Sequence, residues 1–328
     1  MHWQCTSHKN NLCSLHVTLV RRWYNYTELP RITAFAKYLF TNSTFCPECR
    51  YHPAGITMIS LEEFRLIRDY IEKHCGIHLT DEKVYLVETR LTTLIVEQGC
   101  KSFGDLYQKS VSDKTYALRD KITEAITTNE TFWFRDLHPF GILNEVLFKK
   151  LTDEIRSGKR TKIKLWCSAC STGQEPYSIA MTFLEYMRQY PGLRPEHLEI
   201  LATDISSTVL FLSKLGRYDS FSMSRGLAED LRNRYFTTTD KKIWTISNDI
   251  KKMVTFKKLN LQENFNHIGK YDIVFCRNIL IYFSLEFKQD ILKRIANLLR
   301  PNGYLFLGAS ESIIMYTKEY EMLRHAMG

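Results

Sequence analysis

From Lys162 onward, short apolar strands and amphipathic helices take turns along the chain, and that alternation constrains the fold more than any other property. The strands read as IKLWC (163–167), LEILATD (198–204), DIVFC (272–276) and YLFLGAS (304–310). Between them lie helical patterns: PYSIAMTFLEYMRQY, TVLFLSKL and FKQDILKRIANLL. Strands separated by helices are joined by crossovers rather than tight turns, so they pair in parallel within an α/β sheet. Between Arg217 and Leu259 the rhythm breaks. A polar helix, AEDLRNRYF, is followed by two short β-rich runs, KKIWTIS and MVTFKKL, which read as a small antiparallel insertion against one sheet edge.

Open α/β sheets bind ligands outside the carboxyl ends of their strands, so the residues that follow each strand are the candidates for function. The first strand runs into KLWCSACSTGQEPYSI, where the small residues from Ser168 to Thr172 permit close approach to the backbone and Gly173 supplies the turn into a helix. One glycine alone is not a dinucleotide fingerprint, and no P-loop lysine is present. Polar residues follow the strands in turn: Glu175, then Asp204, then Asn260 beside Leu261, then Arg277 and Asn278. A carboxylate ending the second strand suits a ribose, because it accepts hydrogen bonds from both vicinal hydroxyls. An Asn next to an apolar residue suits an adenine edge and face. Taken singly, each residue is also a plausible cap or turn former. The segment ahead of the sheet, TTNETFWFRD, sets Asn129 and Thr131 beside Phe132, Trp133 and Phe134, then Arg135; its aromatics serve the site, pack the two domains together, or do both.

The N-terminal half reads differently. Ser60 followed by Glu63 is a capping box, and Phe64, Ile67, Ile71 and Cys75 then share one helical face up to Gly76. A second helix opens near Thr80 and Asp81 and stops at Gly99, with Val84, Val87, Leu91, Leu94 and Ile95 inward. Shorter helices follow near 103–109 and 116–126. Residues 58–127 therefore form an all-helical domain, and 128–161 a linker plus the first helix of the sheet domain, which occupies 162–328 with its insertion at about 217–259. At 328 residues and 44% hydrophobic content, the chain is large enough for two cores.

No apolar run approaches the roughly 20 residues of a membrane helix, and the N-terminus lacks a signal peptide's order, so a cytoplasmic location is expected. Nine cysteines, several inside core elements, argue against a disulfide framework. The net charge of +9 favours acidic partners. Part of that excess sits in residues 1–57, and elsewhere the charges are interspersed, which disfavours a nucleic-acid groove.

The blocks TTNETFWFR, WCSACSTGQEPYSIAM, ATDIS, LNL, FCRNILIYF and GYLFLGASES, in this order over about residues 58–325, resemble the bacterial chemotaxis receptor methyltransferases of the CheR family. The resemblance implies a Rossmann-like class I methyltransferase sheet and S-adenosylmethionine as cofactor. It implies esterification of glutamate side chains on the cytoplasmic helices of chemoreceptors, by a monomer without metal, nucleic acid or membrane insertion. The family's cofactor contacts fall on Asn129, Thr131, Arg135, Glu175, Asp204, Asn260, Leu261, Arg277 and Asn278. Tyr282 matches a family tyrosine near the methyl-transfer position, and with Arg135 it is expected to orient the reactants. Residues 58–127 would dock the substrate.

Two departures stand out. Helix DEKVYLVETRLTTLIVEQ offers only Lys83 and Arg90 as cations, where family members often carry a basic face. The insertion loop TTTDKK lacks the glycine-rich turn associated with members that bind a receptor's C-terminal tether peptide, so methylation without a tether is expected. Residues 1–57 match nothing in the family. Cys46 and Cys49 with His52 look like half a zinc knuckle, but no properly spaced second pair accompanies them; a disordered tail and a misplaced start ahead of Met58 are the alternatives. Two other functions remain open: a related methyltransferase acting on another substrate, and a cofactor-binding adaptor without catalysis.

Overall fold

The computed structural model describes residues 58–312 and 318–323, so the cysteines and histidines of the N-terminal extension, and the zinc reading built on them, lie outside the described residues. Helix α1 (Leu61–Cys75) starts at the expected capping box: Ser60 Oγ accepts the Glu63 N–H at 3.2 Å, and the Glu63 carboxylate accepts the Ser60 N–H at 2.9 Å. It ends at Gly76, whose φ of +75° suits glycine. A Cβ there would also stand 2.1 Å from a ring carbon of Phe287. After one 3₁₀ turn (Asp81–Lys83) come α2 (Val84–Glu97), α3 (Phe103–Ser112) and α4 (Ala117–Ile126). Their apolar faces bury a single cluster around Phe64, Ile71, Leu91, Phe103 and Ile122. Val84, expected inward, is only partly buried at its edge.

Beyond the connector, α5 (His138–Ile142) passes through a π turn into α6 (Phe148–Arg156). The sheet domain then runs β1 (Ile163–Cys167), α7 (Gln174–Gln189), β2 (Leu198–Asp204) and α8 (Ser207–Leu215). The insertion supplies β3 (Arg217–Asp219), α9 (Ser220–Ser224), α10 (Glu229–Tyr235), β4 (Phe236–Thr238) and β5 (Ile243–Ile246). The chain closes with α11 (Asn248–Lys252), β6 (Val254–Lys258), β7 (Tyr271–Phe275), α12 (Leu285–Leu298) and β8 (Leu299–Phe306).

The main sheet has the order β6-β2-β1-β7-β8, every pair parallel. Strand order reverses beside β1, which opens a crevice at the carboxyl tips of β1, β2 and β7. The insertion is a three-stranded antiparallel sheet, β3-β5-β4. One boundary needs correction: MVTFKKL, read as part of the insertion, contains β6, which pairs in parallel with β2 from Ile200↔Val254 to Asp204↔Lys258. Val254 and Phe256 are buried between exposed Thr255 and Lys257, and the same alternation marks any one-sided edge strand. Periodicity identifies such a strand but not its partner.

The helical and sheet domains meet through side chains and backbone alike. Asn260 Nδ2 donates to the His74 carbonyl at 2.7 Å, and Gln262 Nε2 to that of Glu72 at 3.0 Å, so a loop following β6 caps the last carbonyls of α1. The His78 N–H donates to the Tyr282 carbonyl at 2.8 Å, and Ile77 pairs with Phe283. On α4, the Glu124 carboxylate accepts the Thr208 N–H at 3.1 Å and its hydroxyl at 2.9 Å, capping α8 from the neighbouring domain.

Candidate functional site

A cavity of about 470 Å³ lies between the strand tips and the segment that follows α1, a size suited to a small-molecule ligand. All the residues expected to contact cofactor or orient the reactants line it: Asn129, Thr131 and Arg135 from the connector, Glu175 from α7, Asp204 from β2, Asn260 and Leu261 after β6, and Arg277, Asn278 and Tyr282 after β7. The helical domain contributes Ile77, Leu79, Thr80 and Lys83, a wall that the sequence did not announce.

The connector's aromatics do something else. Trp133 is fully buried, edge-on against Tyr218 and Phe236 with ring centroids 4.8 and 5.2 Å away, and so fastens the insertion to the sheet. Phe134 packs on Phe140 at 5.1 Å. The expected packing of the two domains by these aromatics is corrected: Trp133 and Phe134 pack within the sheet domain, and the cavity wall takes only the polar residues of this segment. Backbone strain concentrates nearby. Phe134, Asp136, Leu137, Ser171 and Asn278 all have positive φ, between 47° and 69°, and each lies within two positions of a lining residue.

Ser171 shows how these segments are tied. Its N–H donates to Asp204 Oδ2 at 2.9 Å and its hydroxyl to the Asn129 carbonyl at 2.8 Å. Asp204 also accepts the Ser206 N–H at 3.0 Å, so each carboxylate oxygen is fixed by one bond and keeps a lone pair for a ligand. Burial pushes the Asp204 carboxyl above the ordinary carboxylate range, and the bonds from Ser206 and Ser171 offset this only in part. Glu175 behaves likewise: burial raises its carboxyl, and Arg277 beside it pulls the other way.

Arg277, only 1% exposed, donates to Glu175 Oε2 at 2.8 Å, to Asp136 Oδ2 at 2.7 Å and to the Arg135 carbonyl at 2.7 Å. It therefore holds the connector turn rather than projecting a free charge. Its Nε–H has no partner among the described residues. Asn260 has spent one donor on His74 and one lone pair on the Gln262 N–H at 3.0 Å, which leaves one of each. Arg135 is freer: its side chain donates to the Glu130 carbonyl at 3.4 Å and lies 5.5 Å from the Phe132 ring. The thiols of Cys167, Cys170 and Cys276 are buried; burial drives that of Cys276 up to about 12 and the other two well above their ordinary value, so none offers a thiolate.

Sequence reasoning missed Glu311. Its carboxylate accepts the N–H groups of Asn278 (2.7 Å), Leu280 (2.8 Å) and Gly308 (2.7 Å), which fixes the loop that carries Asn278 and Tyr282. Gly308 must be small, since a Cβ would stand 2.4 Å from Asn278 Nδ2. A bond spanning 33 positions leaves no local signature. A second correction concerns Arg90, which donates to the carbonyls of Ile126 and Thr127 and to Thr128 Oγ1. It holds the interdomain connector, so its donors are engaged there instead of being offered from the face of α2.

Comparison with known proteins agrees with this architecture. Residues 129–327 match the model described as CheR methyltransferase, SAM binding domain, and residues 62–127 the CheR methyltransferase, all-alpha domain. The chain is 42% identical to the chemotaxis protein methyltransferase Cher2 of Pseudomonas putida over 81% of this chain and 96% of that protein. It is 43% identical to a chemotaxis protein methyltransferase of Vibrio parahaemolyticus, over 81% and 94%. A Salmonella typhimurium chemotaxis protein methyltransferase matches at 31% identity, over 82% and 94%.

Proposed function

The chain belongs to the CheR methyltransferase family, and from that premise we infer how its cleft carries out the family's reaction, the S-adenosylmethionine-dependent methylation of chemoreceptor glutamates to methyl esters. The convergence of Asn129, Thr131, Arg135, Glu175, Asp204, Asn260, Leu261, Arg277, Asn278 and Tyr282 on one cavity, from segments far apart in the chain, carries this reading.

The donor set fits the cofactor. Asp204 has a lone pair to spare on each oxygen for a ribose diol, Leu261 and the remaining capacity of Asn260 suit an adenine face and edge, and Glu175 offsets the charge of a cationic donor. When bound, S-adenosylmethionine supplies a methyl carbon made electrophilic by its sulfonium centre. Arg277 keeps Glu175 and the connector turn in place. Glu311 fixes the backbone of Asn278 and, two residues before Tyr282, that of Leu280.

The incoming glutamate is already ionised at neutral pH, its reference pKa being about 4.3, so the enzyme needs no general base. Its task is alignment. Well-placed reactants recover roughly 7–11 kcal/mol of barrier, more than proton transfer would add here. Arg135, with most of its donors uncommitted, orients the substrate carboxylate, and Tyr282 lines the cavity where its phenol, without a hydrogen bond among the described residues, helps set the line of transfer. Too strong a grip by Arg135 would hold back the ground state, so its alignment matters more than its charge.

The protein segment that enters is a cytoplasmic receptor helix, and the enzyme acts as a monomer. No described helix is long and apolar enough to cross a membrane. The test is transfer of labelled methyl from S-adenosylmethionine to receptor-containing membranes, with release of methanol by base as the mark of an ester. Label that resists base would assign the transfer to an amine or amide and overturn the reading.

A further inference from the structure

An acidic receptor segment calls for cations beside the cleft, and the 3₁₀ turn with α2 gives only Lys83, which lines the cavity, because Arg90 is committed to the interdomain connector. The insertion supplies one, Arg225, paired with the lining residue Glu130. Arg225 is pinned through its backbone: its carbonyl accepts the Trp133 N–H at 3.2 Å. The next residue, Gly226 at φ +81°, lies so close that a Cβ would stand 2.1 Å from the Trp133 carbonyl oxygen. The guanidinium lies 5.2 Å from the centre of the Phe132 ring and 5.6 Å from that of Phe221, a side chain 69% exposed. Arg135 lies 5.5 Å from the same Phe132 ring. A single phenyl ring thus serves two guanidiniums, one lining the cavity and one paired with a lining residue.

Arg225 already holds a carboxylate. Its Nη2 meets Glu130 Oε1 at 2.9 Å, and Glu130 is a lining residue with a side chain 68% exposed. An ion pair this exposed contributes about 0–1 kcal/mol, so another carboxylate can exchange with it at little cost. We propose that Arg225 is a substrate-recognition residue: it binds a second carboxylate of the acidic receptor segment while the target glutamate enters the cleft, and Glu130 is the resident carboxylate that this partner displaces. The occupant follows from charge. A segment modified on glutamate is acidic, and Arg225 with the exposed face of Phe221 offers a cation flanked by an aromatic surface, the mixture common at interfaces.

The proposal rests on the reaction read above, and the experiment separates the two. The full-length chain is assayed with receptor-containing membranes at varied receptor concentration, and cofactor affinity is measured by calorimetry. In Arg225→Glu the receptor KM should rise roughly tenfold, with kcat and cofactor Kd unchanged, because a rim charge governs encounter more than chemistry. Arg225→Lys should recover part of the loss. Glu130→Gln, which frees Arg225 without touching the connector backbone, should lower the receptor KM about twofold to threefold. The wild-type KM should climb with ionic strength more steeply than that of Arg225→Glu. A normal receptor KM in a normally folded Arg225→Glu, or a change confined to kcat and cofactor Kd, overturns the proposal and leaves the reaction standing. A wild-type enzyme that forms no base-labile ester on the receptor overturns both.

Discussion

Strand β7 has a buried ion cluster at each end, built from the same groups and used in opposite ways. At its start, Asp272 is 2% exposed and takes Arg160, both bonds from Arg300 (3.0 and 3.1 Å) and the Lys164 N–H at 2.8 Å. These partners belong to β1, β8 and the turn before β1, so one carboxylate ties three neighbouring strands at their beginnings. Just past the strand's other end, Arg277 gathers Glu175, Asp136 and the Arg135 carbonyl, with Glu175 lining a cavity and positive-φ residues on either side. The first cluster is saturated and closed. The second keeps capacity in reserve and borders strained backbone, the expected mark of a site whose order serves a ligand rather than the fold.

The sharpest way to break this contrast is to exchange stability for activity. Asp272→Asn should cost about 3 kcal/mol of folding stability, because a buried amide cannot accept from Arg160, Arg300 and the Lys164 N–H on both of its polar atoms. Methyl transfer per folded molecule should stay normal; a denaturation midpoint that does not move would sink the structural role. Next in size, Arg135→Ala should lose roughly a hundredfold in turnover at an unchanged melting temperature, the scale of removing one aligned donor. Normal turnover together with normal cofactor affinity would remove Arg135 from the mechanism.

Asp204→Asn should weaken cofactor binding about tenfold, the worth of a hydrogen bond to a charged group. Here pH sharpens the test. The folded carboxyl of Asp204 is raised by burial, so its ionised form, the one proposed to bind cofactor, is lost as pH falls through a range above the ordinary value near 3.9. Wild-type affinity should therefore decline with acid earlier than an exposed carboxylate would predict, and the Asn variant should not share that decline. The smallest effect is expected from Glu311→Gln, at about 1 kcal/mol of stability with a several-fold loss of turnover, since an amide meets at most two of the three N–H groups well. An equal loss of turnover when Glu311→Gln is added to Tyr282→Phe would show that Glu311 does not act through that tyrosine.

Much of this fold is legible in the sequence because its elements are locally consistent. IKLWC and LEILATD match β1 and β2 residue for residue, since strands buried on both faces read as apolar runs bounded by turn formers. The Ser60 to Glu63 capping box is likewise self-contained. Glu175, Asp204, Asn260, Leu261, Arg277 and Asn278 are legible for a topological reason: they follow strands, and a parallel sheet brings all strand tips to one side, whereas Asn129, Thr131 and Arg135 precede the sheet and stand out only by their unusual connector. What escaped is long-range. The partner of β6, the fastening of the insertion by Trp133, the diversion of Arg90 and the reach of Glu311 each depend on a residue tens of positions away, and no local pattern encodes them.

Because Asn260 and Gln262 cap the final carbonyls of α1, the helical domain is not a detachable adaptor. Grafting the equivalent helices of a relative onto this sheet, to redirect the enzyme to a different receptor, would strand the carbonyl at the His74 position unless the loop at 260–262 travelled with them. Chimeras split at residue 127 should be difficult to express, whereas chimeras that carry both pieces should fold, which makes that loop the natural second crossover point for engineering selectivity.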